Sequence, residues 1–399
     1  MDAVESIDTL SFPDVTEYCC DACVEVSLAD KVAKVAFKVA SYLTDPVCKG
    51  HELFRRLYVV EALNPTAHAV ANKARKVFLY IGIVACGAVA VFSSVPGIVL
   101  RYAAAQLQSH PYIHVKGHGH GKALPADHAF TLLSWNICCI SGGYSISDGG
   151  VAPWASRIDA IIDEIIAKDA DVNCLYEVFD VKAATYISER LKEHGYVHIY
   201  FNIGPKAVGV NSGILVASKY DVQNPEFTAY SEDMLVGRTK NAAKGVFAFD
   251  LSSEGKSFAR IFATHLQHSE EPEFATDEEV EARRKQMKVI ADKIDQVRDK
   301  CVVLTGDLNF DDSEFDAIPG RDRFQEGNTF TEKTWGGDEF CAGIVEKRVS
   351  QGLNLDHTAI LRGTARDITT SLVRTGYDPA VYTESALSDH EGLFSKISL

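Results

Sequence analysis

Several polar residues stand where short apolar runs stop, at positions an apolar core would not choose. Asn136 follows Leu-Ser-Trp, Glu177 follows Cys-Leu-Tyr, and His265 follows Phe-Ala-Thr. Asp307 and Asn309 follow Val-Val-Leu-Thr, Asp356 follows Leu-Asn-Leu, and Asp389 and His390 lie just before Leu393. One such residue is an ordinary strand cap. Their recurrence implies a single face on which strand ends converge. The residue types suit a hard cation such as Mg2+, which takes oxygen ligands and keeps several waters. Such a cation neutralises and orients a phosphate. A histidine beside a carboxylate takes a proton from water, because the carboxylate fixes its tautomer. The chain has no Gly-rich Walker loop, His-Glu-x-x-His pair or Gly-x-Ser-x-Gly elbow, so covalent serine chemistry has little support.

Alternating strands and helices must position these groups. From His128 onward, Thr131–Asn136, Val172–Tyr176, Val197–Phe201, Ser212–Ala217 and Cys301–Thr305 read as strands. Gly245–Leu251 and Phe258–Thr264 read as a hairpin across Ser252–Lys256. Trp154, Ile158, Ile161, Ile162 and Ile165 form the apolar face of a helix, and Ala183–His194 and Glu278–Asp299 are two more. Short strands joined by both helices and hairpins predict a mixed-sheet α/β domain.

The region before it differs. Residues 1–76 read as helical, with Leu28, Val32, Val35, Val39 and Leu43 at helical spacing beside Lys31, Lys34 and Lys38. Val77 to Leu100 is an uncharged run, predicted as a membrane-embedded segment; a helix of this length covers roughly 36 Å. Gly82, Gly87, Pro96 and Gly97 suggest a kink or a re-entrant hairpin. Residues 101–127 read as a Gly- and His-rich connector carrying His114, His118 and His120, with the catalytic domain spanning 128–399. The formal net charge of −15 argues against a protein that wraps nucleic acid. The 10 cysteines show no disulfide spacing.

Gly306-Asp307-Leu308-Asn309-Phe310 with Ser388-Asp389-His390 resembles the endonuclease/exonuclease/phosphatase superfamily. Ser134-Trp135-Asn136, Tyr176-Glu177-Val178 and Thr264-His265-Leu266 match it in the same order. That resemblance implies two mixed β-sheets packed face to face with helices outside. Glu177-Val178-Phe179-Asp180, Asn211-Ser212-Gly213, Thr264-His265-Leu266-Gln267 and Lys244-Gly245 are similar to neutral sphingomyelinases. The likeness implies Mg2+ held by Glu177, Asn136 and Asp389, and His390 as general base paired with Asp356. It further implies Asp307, Asn309 and His265 around the phosphate, and substrate contacts from Lys244, His265 and Asn211. The expected partners are a phospholipid, sphingomyelin first, and a membrane, without nucleic acid. The chain departs from that pattern at Thr239, where those enzymes carry Asp, at His268 and at His357. A nuclease or inositol-phosphate phosphatase is the alternative within the superfamily, and a non-catalytic membrane-anchored binding protein the alternative outside it.

Overall fold

The computed structural model describes residues 28–62, 69–108, 110–140, 153–205, 209–271, 274–318, 320–328, 330–335, 352–373 and 387–399. Part of the expected N-terminal helical region, residues 1–27, lies outside these.

Strands β1 (Ile113–Lys116), β2 (Ala129–Asn136), β3 (Val172–Tyr176), β4 (His198–Phe201), β5 (Leu215–Ser218), β12 (Asp367–Val373) and β13 (Gly392–Ser398) form one sheet, in the order β1-β4-β5-β3-β2-β13-β12. The second sheet holds β6 (Asp221–Ala229), β7 (Gly245–Ser253), β8 (Lys256–His265), β9 (Cys301–Asp307), β10 (Phe324–Glu326) and β11 (Asp356–Leu361), in the order β10-β11-β9-β8-β7-β6. Two neighbouring pairs run parallel, β2 with β3 and β8 with β9. Each needs a crossover. Helix α3 (Ile158–Lys168) makes the first and α5 (Asp277–Ile294) the second.

Burial divides the domain into four layers. Phe130, Tyr176, Phe247, Val303 and Ile397 meet between the sheets. Ile158, Ile161, Ile162 and Ile165 of α3 and Ile187 of α4 (Val181–Glu193) cover the outer face of the first sheet. Met287 and Ile290 of α5, with Phe315 of the short α6 (Asp312–Asp316), cover the second. Helix α5 starts from a capping box, Thr276 accepting from Glu279 N–H while the Glu279 carboxylate accepts from Thr276 N–H. The expected α/β sandwich of two mixed sheets is the observed fold.

The N-terminal region is a helical hairpin of α1 (Leu28–Ala62) and α2 (Ala69–Leu107). The apolar run is one continuous helix through Pro96, so it does not fold back on itself as a re-entrant hairpin. Small residues set the α1–α2 contact: Gly97 against Leu43 and Thr44, Gly50 against Cys86, Gly82 against Leu53. The stripe Leu28, Val32, Val35 and Val39 faces outward, not onto α2. Ala33, Phe37 and Ala40, one position round the helix, are buried in its place. Close helix approach selects the small side chains and leaves the branched ones outside.

The connector expected at 101–127 is largely structured. Helix α2 continues to Leu107, and β1 pairs antiparallel with β4 at the edge of the first sheet. The folded domain therefore begins near Ile113 and not at His128. Periodicity missed β1 because it is a four-residue strand running straight into a Gly-His-Gly-His-Gly stretch.

Candidate active site

Sheet geometry explains why the polar residues meet. Parallel β8 and β9 place His265 opposite Asp307. Antiparallel β11 starts where β9 ends, which sets Asp356 opposite Asp307. In the other sheet, β2 ends at Asn136 beside the end of β3, and Glu177 follows it. His390 lies just before β13, which runs antiparallel to β2. The site thus draws on the centre of both sheets.

The pivot is Asp307. One carboxylate oxygen accepts from the Asn309 backbone N–H at 3.1 Å. The other accepts from the Asn136 amide at 2.9 Å and lies 3.5 Å from His265 Nε2 and 3.7 Å from His390 Nε2. His390 Nδ1 is 2.8 Å from Asp356 Oδ2, both groups buried. This contact orients the ring so that Nε2 faces Asp307. Glu177 Oε1 lies 3.9 Å from His265 Nε2.

The buried polar atoms test the site for a cation. Glu177 Oε2, Asp356 Oδ1 and His265 Nδ1 are buried with no protein partner among the described residues. Such atoms are costly unless something else satisfies them. Ligand atoms of Glu177, His265 and Asp307 lie within 4.8 Å of one another, as do those of Asp307, Asp356 and His390. Two or three carboxylates with an amide fit a hard divalent cation. Asn136 joins the first group through Asp307. Asp389 stands at its margin, 3.5 Å from Trp335 Nε1, close enough for its charge to act on Glu177.

Burial dominates the electrostatics. It raises the Glu177 carboxyl to about 7, with Asp389 adding to the effect and Lys244 opposing it. Burial likewise raises Asp307 to about 6 against the pull of His390. The Lys244 ammonium is pushed down to about 7 by burial, although Glu177 and Asp307 favour its charge. His265 lies well below its ordinary value, through burial and then Lys244 and His390. Burial works against charging His390 too, but Asp356 and Asp307 outweigh it and raise His390 well above its ordinary value.

Glu177 adopts φ +60, a left-handed conformation unusual for a side chain of this kind. Gly213, at φ +76, lies against its backbone: a Cβ there would sit 3.1 Å from Glu177 N and 2.7 Å from Phe179. Val178 N–H donates to the Gly213 carbonyl at 2.9 Å. Asn211, expected to touch substrate, has its side-chain amide bonded into this turn. Its amide donates to Phe179 O at 3.2 Å and to Asn202 Oδ1 at 3.1 Å, and its oxygen accepts from Gly213 N–H at 2.8 Å. These side-chain bonds brace the Glu177 turn.

Three further residues position the site, and of these only Trp135 lies in a motif, with no role read for it. The Arg157 guanidinium donates to Ile137, Cys138 and Leu387 carbonyls, tying the Asn136 loop to the His390 loop. Trp135 Nε1 donates to the His390 carbonyl at 2.9 Å. Buried Thr334 Oγ1 accepts from Leu355 and Asp356 N–H at 3.0 and 3.2 Å. Their partners are backbone atoms far along the chain, which no local pattern exposes.

The departures are internally matched. Thr239 Oγ1 lies 2.7 Å from His268 Nδ1 and accepts from Gln267 Nε2 at 2.9 Å. Burial pushes His268 down to about 4, with Lys244 lowering it further, so this pair is neutral near Lys244. His357 stacks on Phe315 at 4.1 Å and bonds Glu326 at 2.7 Å.

The endonuclease/exonuclease/phosphatase family pattern matches residues 133–390. Among solved structures, the chain resembles SmcL, with 18% identity and a TM-score of 0.54 over 68% of this chain and 99% of that one. It also resembles a mutant beta toxin from Staphylococcus aureus with bound magnesium ions, at 19% identity and TM-score 0.54 over 67% and 98% of the two chains. D. rerio TDP2, humanized by 14 mutations, is similar at 15% identity and TM-score 0.50 over 68% and 100%. At these identities the likeness is one of fold. No curated protein matches the sequence.

Proposed function

The chain belongs to the endonuclease/exonuclease/phosphatase family, and from that premise we propose that it is a Mg2+-dependent phospholipid phosphodiesterase cleaving sphingomyelin to ceramide and phosphocholine. The observation that carries the reading is the buried His390–Asp356 contact of 2.8 Å beside Asp307 and the partnerless Glu177 oxygen.

Glu177, with Asn136 and Asp389 near it, would hold the ion, and His265 and Asp307 extend the same cluster. When bound, Mg2+ supplies positive charge that neutralises the phosphodiester and the surrounding carboxylates, which brings His390 toward its neutral, proton-accepting form. Asp356 holds the His390 Nδ1 proton. His390 Nε2 takes a proton from the water that attacks phosphorus. Asn309 and His265 donate hydrogen bonds to the phosphoryl oxygens as charge builds, and the lipid alkoxide departs in line. Lys244 contributes positive charge from the buried rim. The test is phosphocholine release from sphingomyelin, compared with a lysophospholipid and DNA, with and without Mg2+. Mg2+-dependent release from sphingomyelin is expected. Preferential DNA cleavage would assign the site to a nuclease-like role.

The lipid part of the reading is supported by the hairpin. Helix α2 is long and apolar enough to cross a membrane, and hardly any of its apolar stretch is buried. Phe78, Ile81, Val84, Val91, Phe92 and Val95 are exposed along it. A perpendicular crossing meets an obstacle. Gly50 against Cys86 and Leu53 against Gly82 set Lys49 and Glu52 level with the middle of the run. The two pair at 3.0 Å, which offsets part of the cost of about 2.5–3.5 kcal/mol for a single charge at hydrocarbon depth. The hairpin therefore lies along the interface, with the outer face of α2 in the lipid and the charged turn of α1 toward the headgroups. Arg101 donates to Gly209 O at 3.1 Å and Lys182 pairs with Asp45, so the hairpin's inner end is held to the Glu177 side of the domain. Phe78→Asp with Phe92→Asp is expected to release the protein from sedimenting vesicles and to spare turnover of detergent-dispersed substrate. Unchanged vesicle binding would remove α2 as the anchor.

A further inference from the structure

The histidine-rich stretch at the start of the folded domain is held in a way the phosphodiesterase reading does not use. Antiparallel pairing of β1 with β4 sets His114 opposite Tyr200 and Lys116 opposite His198. The His114 ring lies on Tyr200, with centroids 4.4 Å apart and planes within 7°. His114 Nε2 is 3.1 Å from His198 Nδ1. Their planes agree within 4° while the centroids stand 5.2 Å apart, so the rings meet edge to edge. The other nitrogen of His198, Nε2, lies 3.3 Å from Asp221 Oδ1.

The next turn carries His118 and His120, both exposed. It is fastened at each end beside the same group. Gly117 N–H donates to Val197 O, next to His198, at 2.9 Å. Gly121 packs so closely on Asp221 that a Cβ would fall 2.5 Å from its backbone nitrogen. One sheet edge thus holds paired imidazoles with a carboxylate behind one of them, and the turn that follows carries two more, both exposed.

We propose that His114 Nε2 and His198 Nδ1 are ligands of a transition-metal site for an ion of the zinc type, with a further ligand from His118 or His120. Two nitrogens on one tetrahedral zinc, each at about 2.0–2.1 Å, stand roughly 3.3 Å apart. The 3.1 Å separation here is close to that spacing. Asp221 on the far nitrogen of His198 is the carboxylate–imidazole–metal arrangement that fixes a ligand's tautomer and raises its basicity. Binding replaces the hydrogen shared between His114 Nε2 and His198 Nδ1, and that proton passes to the other nitrogen of His114 or to solvent. Imidazole ligands favour zinc over magnesium, so this edge and the carboxylate site sort the two ions. The inference is independent of the phosphodiesterase reading.

Zinc titration of the full-length protein in millimolar Mg2+ tests it, followed by calorimetry and by the absorption of Co2+ as a substitute. The expected result is one zinc per chain that Mg2+ does not displace, with tetrahedral Co2+ bands. His114→Gln and His198→Gln should each weaken binding at least about 10-fold, and Asp221→Asn about 10- to 100-fold. Absence of zinc uptake by the wild type at micromolar concentration overturns the proposal. So does wild-type affinity in His114→Gln. Should either glutamine variant melt below the wild type, His118→Ala with His120→Ala decides, since both side chains are exposed. Unchanged zinc affinity in that variant overturns the site.

Discussion

His390→Ala is expected to lower kcat by about 10²–10⁴-fold, the usual contribution of a positioned general base. The contact geometry makes a sharper statement about its partner. Among the described residues, the side-chain hydrogen bond of Asp356 goes to His390: its Oδ2 lies 2.8 Å from Nδ1, while its backbone is held by Thr334. Asp356→Ala should therefore cost less than His390→Ala, because a loosely held ring still accepts a proton in some orientations. Adding Asp356→Ala to His390→Ala should cost almost nothing more, since groups that act as a unit are strongly non-additive. Single-turnover rates of both single variants and the double variant close the cycle. Losses that simply multiply would show that Asp356 acts on the substrate directly. The pH profile adds an independent readout. With Asp356 and Asp307 raising His390 above its ordinary value, the rate should climb with pH as the ring loses its proton. In Asp356→Asn that rise should move to lower pH, because the charge that holds the proton is gone.

Most of the site was legible because its chemistry lies at strand ends. Asn136, Glu177, His265, Asp307 and Asp356 each follow an apolar run, and the sheet registers bring those ends together. Their grouping was less legible. Adjacency to an apolar run does not say which strand is neighbour to which, so Glu177 was expected with Asn136 and Asp389. The structure adds His265 and Asp307 to that neighbourhood, with Asn136 hydrogen-bonded to Asp307. Asn211 shows a second limit: an Asn-Ser-Gly string reads alike whether its amide meets substrate or the carbonyl of Phe179. Arg157 carries no local signal, because the carbonyls it binds come from the Asn136 and His390 loops. In the hairpin, the spacing of Leu28, Val32, Val35 and Val39 marked an apolar stripe without saying what it meets; the structure leaves it exposed and buries Ala33, Phe37 and Ala40. Apolar periodicity marks a face that avoids water, and a lipid surface satisfies it as well as a core does.

Glu177→Gln should abolish Mg2+-dependent turnover almost completely while leaving the fold at least as stable. The two effects have one cause. Burial lifts the Glu177 carboxyl to about 7, so its ionised form is held in the folded protein at a cost. The sign follows from linkage. A carboxyl raised above its unfolded value binds its proton more tightly when folded, so the metal-free fold loses stability as pH rises from the unfolded value toward about 7. Glutamine removes that loss. In chelator at pH 8 the variant should therefore melt at or above the wild type, and the difference should shrink as pH falls toward 4. Added Mg2+ should raise the melting temperature of the wild type, since a ligand that binds only the folded state stabilises it, and should leave the variant unmoved. Apparent Mg2+ affinity of the wild type should also weaken below pH 7, where a proton competes for the same oxygen. The left-handed turn at Glu177 and the close packing of Gly213 hold the carboxylate in place whether or not it is paired. A variant that melts well below the wild type in chelator would mean that Glu177 serves the fold rather than the ion. A variant that keeps its Mg2+-dependent rise in melting temperature would place the ion elsewhere.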